Sequence, residues 1–387
     1  MCPPSVEQRS DPPRTRWTWF LCALGVVGAV VALAAVPHQA RGAAAQTWTP
    51  FVLVAGLLLI GLVAEGDGLF RAAGSHLARV ARHGVVLFAG ATLLITVVTS
   101  TLNLDTSVVF LTPVLIAAAR QRGAGERPLL YGSILLANAS SLFLPGSNLT
   151  NLIVVGHMPL SGGAFLARMW PAALVAGLVT AGCVGVWARR DLMASAASVP
   201  VVERPLVGAG VVAVLLAVIL VVTLRSPALP VLCVGAVAVA VRLAQRQVQM
   251  DHVARVVGAP VLIGLFGVTI GLGALGRVWS GPVTLLSHAD GAGVAVIAAL
   301  TSVLVNNLPA ASLLAARNPH HPAQLLVGLN LGPNLFVTGS LAWFLWLKVA
   351  RASGATPSLG QASRLGLVAV PLSMAAALGA LALVGSG

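Results

Sequence analysis

The sequence predicts an all-α polytopic membrane protein of two inverted repeats, each with a re-entrant hairpin and a broken transmembrane helix. Three observations predict it. Of the 387 residues, 58% are hydrophobic and only 9% charged, with mean hydropathy +0.95, whereas soluble domains carry roughly 25% charged residues. Apolar runs of membrane-spanning length recur from one end of the chain to the other. Two of those runs, about 129–155 and 325–347, are interrupted by amides, hydroxyls and a Pro–Gly pairing.

The first interrupted run holds Asn138, Ser141, Pro145, Gly146, Ser147, Asn148 and Thr150. As one helix its ~27 residues would reach ~40 Å, beyond the ~30 Å hydrocarbon core. Proline removes a backbone donor and glycine loosens φ. Lipid cannot satisfy the groups this frees, so such a break belongs inside protein or against a wet cavity. The run therefore reads as two half-helices meeting at a polar loop. Asn330, Gly332, Pro333, Asn334, Thr338, Gly339 and Ser340 mark the second. Interrupted helices in corresponding halves point to the binding site of a secondary transporter.

In order, residues 1–17 form a basic tail, and a first span covers 18–36, too long for a signal h-region and without a clear cleavage site. A second span covers 49–66, followed by a basic, partly amphipathic segment with Arg71, Arg79 and Arg82. Two short arms at 84–98 and 107–119 flank a polar tip with Asn103, Asp105, Thr106 and Ser107. Each arm is ~23 Å or less. Both outer ends are basic, which favours a re-entrant hairpin over two short spans. After the first break come spans at 164–187, 206–224, 228–244 and 258–278, with Arg189, Arg190 and Arg204 in a cytosolic-looking loop. A second pair of arms, 292–300 and 308–317, flanks Asn306 and Asn307; the second break and a span at 365–385 follow. The chain divides into the tail (1–17), a first repeat (18–187), a loop and linking helix (188–227) and a second repeat (228–387).

The halves align. Residues 49–53 echo 259–263, Thr99-Ser100 matches Thr301-Ser302, Asn138 with Gly146-Ser147 matches Asn330 with Gly339-Ser340, and Pro171 matches Pro371. The 206–224 helix has no counterpart, and one unpaired helix between repeats reverses the second. With the N-terminus cytosolic, 18 of the 23 Lys+Arg fall inside, and Arg41, Arg168, Arg225, Arg277 and Arg317 fall outside. The net charge of +13 is thus topological and implies no nucleic-acid partner; the partner it implies is the bilayer of the cell membrane.

Asp105 is the one acid away from span ends and loops. A carboxylate at membrane depth is costly, so it faces a cavity, pairs, or takes a proton. It is the candidate coupling residue, with a helix-capping role as the plainer alternative. The amides and hydroxyls of the four polar motifs suit a bound cation or a polyhydroxylated or anionic solute, or they satisfy the broken backbone alone. The Asn138 and Asn148 sequons lie at membrane depth and read as fortuitous. Gly267 and Gly271 form a small-xxx-small match that reads as close internal packing. His157 follows the first broken helix and is a minor proton candidate; His320 and His321 read as solvated. Cys2, Cys22, Cys183 and Cys233 are scattered, without disulfide or metal spacing. No cofactor is implied. No HExxH, GxSxG or phosphate-loop motif occurs, so an intramembrane enzyme is the weak alternative class.

From Thr49 onward these motifs resemble the ion transporter superfamily, most closely the ArsB arsenite/antimonite permease family. Residues 104–113, with Leu111-Thr112-Pro113, are similar to that family's Asn-Asp-Gly-Ala-Ala segment and its following Leu-Thr-Pro. Ser147-Asn148-Leu149 and Asn306-Asn307-Leu308-Pro309 are similar to its Ser-Asn-Leu and Asn-Asn-Met-Pro. The most specific match is 330–333 with 339–342 and 345–347. The chain departs at Leu104 and Thr106, which replace Asn and Gly. Asn138 and Asn330 stand where some members carry Asp, and Asn334 where some carry Lys. The resemblance implies proton-driven export of arsenite or antimonite hydroxide. Related families move dicarboxylates with sodium or exchange sodium for protons, and those are the alternatives. It further implies an elevator-like motion of hairpins and broken helices. A soluble arsenite-stimulated ATPase and a second copy of the chain, as a homodimer, are the protein partners it admits.

Overall fold

The structure is a computed structural model that describes residues 12–156, 160–193 and 208–385. The described residues contain helices and no strand. His157 and Arg204, both noted in the sequence, lie outside them.

The chain opens with α1 (Pro12–Ala35), α2 (Pro37–Gly66) and α3 (Leu69–Val80). The expected start of the second span at 49 is twelve residues late. Pro37 sets the first turn of α2, an alanine-rich stretch propagates it, and Pro50 sits inside the helix. That proline forgoes one intrahelical bond, leaving the carbonyl of Gln46 without its usual partner.

α4 (Gly84–Thr101) and α5 (Leu104–Gln121) form the first hairpin. At 18 residues each, the arms are ~27 Å long, longer than expected, because the polar tip residues themselves are helical. Thr101 returns its hydroxyl to Val97 O at 2.8 Å, which lets α4 continue through the polar stretch. The Arg122 guanidinium donates to Arg79 O (3.2 Å) and to Ala81 O. The outer ends of both arms therefore lie together, as a re-entrant hairpin and a pair of antiparallel spans would both require.

The first interrupted run is α6 (Arg127–Ser140), a 3₁₀ turn at Pro145–Ser147 and α7 (Leu149–Val155). Then follow α8 (Gly162–Trp187), the short α9 (Arg189–Met193), α10 (Ala209–Thr223), α11 (Ala228–Ala244), α12 (Met250–Val257) and α13 (Ala259–Val278). A short α14 (Gly281–Ser287), not anticipated, precedes the second hairpin of α15 (Gly291–Val305) and α16 (Asn307–Leu314). The second interrupted run is α17 (Pro322–Leu331), 3₁₀ turns at Gly332–Asn334 and Val337–Gly339, and α18 (Leu341–Ala352). α19 (Leu359–Gly385) closes the chain. Among the described residues, five segments are long and apolar enough to cross a membrane: 37–66, 84–101, 162–187, 250–278 and 359–384. Shorter apolar helices accompany them at 19–35, 209–223, 228–244 and 291–305.

α2 packs against α10, α11 and α13, and α1 lies along α13. A Cβ on Gly267 would stand 2.2 Å from Gly25 O, and one on Gly25 would stand 1.9 Å from Gly264 O. The glycines thus serve close internal packing, as their spacing suggested. Each hairpin packs on the broken helix of its own half (α5 on α6, α15 on α17) and also reaches across: α5 meets α18 and α16 meets α7. Trp346 of α18 also ties the two broken helices together. Fully buried, it donates its indole N–H to Leu130 O at 2.9 Å and stacks edge-on with Trp343.

Several basic residues form two separate groups. In one, Arg120 binds Glu126 and the carbonyl of Ser353, and Arg127 binds Asp191. In the other, Arg277 donates to Gln46 and Arg317 to Arg277 O, while Arg225 and Arg168 line crevices beside α7.

Candidate binding site at the crossing of the broken helices

The two breaks meet. Asn330, in the last turn of α17, is fully buried and uses its whole amide. Its Oδ1 accepts from the Ser141 hydroxyl (2.6 Å) and Asn148 Nδ2 (2.8 Å). Its Nδ2 donates to Asn151 Oδ1 (2.7 Å) and Leu326 O (2.8 Å). Beside it, Asn138 Nδ2 donates to Asn334 Oδ1 at 2.9 Å, and Asn334 Nδ2 to Leu135 O at 3.0 Å. Four side chains of the first break, with the carbonyl of Leu135, thereby grip two amides of the second. A buried amide is expensive unless paired, so this network joins the halves of the chain at the point where each helix is interrupted.

Within the first break the loop is held by its own residues. The Ser147 hydroxyl lies between the carbonyls of Ser141 (2.7 Å) and Leu144. Asn151 Nδ2 donates to those same carbonyls at 2.6 and 3.2 Å. Asn148 caps α7 by accepting from Thr150 N at 3.3 Å. These contacts take up carbonyls at the C-terminal end of α6 that lipid could not serve.

At the first hairpin tip, Asn103 Oδ1 accepts from Thr106 N at 2.7 Å and caps α5. Asp105, the alternative cap in the sequence, does not fill that role. It sits partly buried in the first turn of α5, and its carboxylate makes no hydrogen bond or ion pair with a described residue. The same hairpin end holds buried polar atoms without partners among the described residues: Thr99 Oγ1, Asn103 Nδ2, Thr106 Oγ1 and Ser107 Oγ. At the breaks the same holds for Asn138 Oδ1, Thr150 Oγ1 and Ser340 Oγ. Thr106 packs on α2 where Gly61 leaves room; a Cβ there would meet Thr106 Cγ2 at 2.6 Å.

The second tip is more open. Asn306 stands at φ 78° and ψ 149°, a strained backbone conformation otherwise taken almost only by glycine. Its Nδ2 donates to Thr338 O (3.3 Å), and the Thr338 hydroxyl donates to Val303 O (2.8 Å). Asn306 and Thr338 thus tie the second tip to the second break on its exposed side, away from the buried amides. Asn307, at the start of α16, is buried.

Four helices begin at these motifs (α5, α7, α16 and α18), and their N-termini favour negative charge or solute oxygen. Neither break and neither tip contains a lysine, arginine or histidine. The site chemistry is one carboxylate among neutral amides and hydroxyls. A cavity of about 210 Å³ runs along α7 from Arg225 and Gln46 to Pro145-Gly146 at the first break. Sequence reasoning left three residues out of the candidate set. Asn151 follows Asn148 by one helical turn and shares its face, a readable signal. Gln46 and Asp67 gave none, because their partners Arg277 and Arg242 are remote in sequence. Asp67 is in fact more deeply buried than Asp105.

A family model described as citrate transporter matches residues 16–338. The arsenical pump membrane protein of Yersinia enterocolitica is 26% identical, over 95% of this chain and 93% of its own length. One from Escherichia coli is 26% identical over 92% of each chain. Among solved structures, the Alcanivorax borkumensis YdaH transporter, described as having an unusual topology, aligns with a TM-score of 0.54 at 16% identity, covering 96% of this chain and 98% of its own. That last likeness concerns the fold alone. The relatives bear out the resemblance read from the motifs.

Proposed function

The chain belongs to the citrate transporter family and is a membrane transporter rather than an enzyme; from that premise we propose that it exports arsenite and antimonite in exchange for protons. One observation carries the choice of solute. The polar centre offers amides, hydroxyls and helix N-termini with a single carboxylate and no fixed cation. A trihydroxide that is neutral at cytosolic pH needs only hydrogen bonds. A citrate trianion would need compensating charge in so dry a place. The names of the curated relatives point the same way.

In this reading Asp105 is the coupling group, loading a proton in one exposure of the site and releasing it in the other. Thr106, Ser107, Asn138, Thr150 and Ser340 present open hydrogen-bonding atoms to the solute. Asn330, Asn334, Ser141, Ser147 and Asn148 frame it. Asn103, Asn306, Asn307 and Thr338 shape the tips. The two halves act as inverted repeats, with the N-terminus cytosolic and the Arg277 end outside. The exchanged packing of α5 on α18 and α16 on α7 supports that arrangement. The hairpins and broken helices move against a frame of α1, α2, α10, α11 and α13. The second reading, sodium-coupled transport of a di- or tricarboxylate, rests on the family's description.

Proteoliposomes with an imposed pH gradient test both. Arsenite or antimonite flux that follows the proton gradient and ignores sodium is the expected result. Citrate or succinate flux that requires sodium, with no arsenite flux, would replace this reading with the second.

A further inference from the structure

Gln46 lies outside the polar centre, yet it touches both short helices that lead into it. Its Nε2 donates to Ile153 O of α7 at 3.0 Å and to Ala315 O, just past α16, at 3.1 Å. Those carbonyls sit at helix C-termini, where no intrahelical donor is available or well placed. The opposite ends of the same helices carry Asn148 and Asn151 (α7) and Asn307 (α16). α7 is 7 residues long, so Gln46 stands only ~10 Å down the axis from the site.

The orientation of the amide is imposed. Arg277 Nη2 meets Gln46 Oε1 at 2.6 Å, and a guanidinium can only donate. Nε2 must therefore face the two carbonyls. Arg277 is itself held by Gly273 O at 2.9 Å within α13. One glutamine thus bridges the frame (α2 and α13) to a half-helix of the first half (α7) and a hairpin arm of the second (α16). The other end of α2 is fastened differently. Asp67 pairs with Arg242 of α11 and accepts from Gly210 N of α10 at 2.6 Å, all within the frame.

We infer that Gln46 is a positioning residue for transport, a latch that holds α7 and α16 against the frame in this conformation and lets go when the site changes exposure. The inference rests on the moving-layer reading above. Its contacts suit release: both bonds at α7 and α16 run to backbone carbonyls, so no buried side chain is stranded when they part. The cavity that ends at Pro145-Gly146 is lined by Gln46 and Gly156 at this joint.

The test places spin labels at Ser226 (frame) and Asn318 (beyond α16), both exposed, in a variant lacking the native cysteines, reconstituted in liposomes. Gln46→Glu keeps a partner for Arg277 but turns an acceptor toward both carbonyls. Losing two hydrogen bonds should shift the ratio of the two inter-label distance populations roughly 30-fold away from the latched one. Gln46→Met, which keeps the shape, should shift it in the same direction and serves if the Glu variant fails to fold. A distance distribution unchanged from wild type in the folded variants overturns the latch, whatever solute moves. Distances that shift as expected while the wild type moves no arsenite would overturn the proposed solute and leave the latch standing.

Discussion

Replacing Asn330 by alanine removes four hydrogen bonds from the middle of the protein, and the cost follows from what each partner has left. Leu326 O loses a side-chain donor but keeps its place in the α17 ladder. The Ser141 hydroxyl retains Asn138 O at 2.7 Å. Asn148 Nδ2 and Asn151 Oδ1 have no other partner among the described residues, and both residues are buried. Two stranded groups at about 1–3 kcal/mol each give a destabilisation of about 2–6 kcal/mol. Asn330→Asp should also destabilise, since it places an acceptor against Asn151 Oδ1. Asn151 cannot turn its amide to help without giving up Ser141 O and Leu144 O. The assay is equilibrium unfolding in mixed micelles, with a double-mutant cycle pairing Asn330→Ala with Asn148→Ala. A coupling of about 1–3 kcal/mol is expected, because the second deletion removes the group the first one strands. Additivity within about 0.5 kcal/mol would refute the account of the amide network as the joint between the two halves.

Three further outcomes follow from the same geometry. Asp105→Asn retains shape and cannot titrate; it should abolish gradient-driven export while sparing downhill exchange, and undiminished pH-driven flux from well-folded protein would move the coupling elsewhere. Because Asn103 rather than Asp105 caps α5 and an unpaired carboxylate at this depth is costly, this variant should be no less stable to unfolding than wild type. Gly267→Val drives a side chain into the backbone of α1 at Gly25 and should cost at least about 2 kcal/mol, seen as early protease cleavage between α1 and α2. Asp67→Ala leaves Arg242 without its acid where the two side chains are 1% and 14% exposed; a loss of about 3–5 kcal/mol is expected, and it should lower the amount of folded protein without changing the pH dependence of whatever transport remains.

Much of the molecule was legible in its residues. A polar interruption in an apolar run has few physical solutions, and the two at Asn138–Asn151 and Asn330–Ser340 proclaimed their half-helices because membrane interiors forbid unpaired backbone. Helix limits were less legible where composition and conformation part. Pro37 and the alanines after it continue a helix through a polar stretch, and Thr101 feeds its hydroxyl back to its own helix. The reach of each amide could not be read at all. Asn330 selects Asn148 and Asn151, Gln46 finds two carbonyls and Arg277, and Asp67 finds Arg242 through pairings more than a hundred residues apart in sequence. Local periodicity determines which segments are helices and which are broken. Which polar atoms end up paired, and which are left open at the hairpin end that carries Asp105, is decided only when the two halves fold against each other, because a hydrogen bond depends on positions that the intervening chain does not encode.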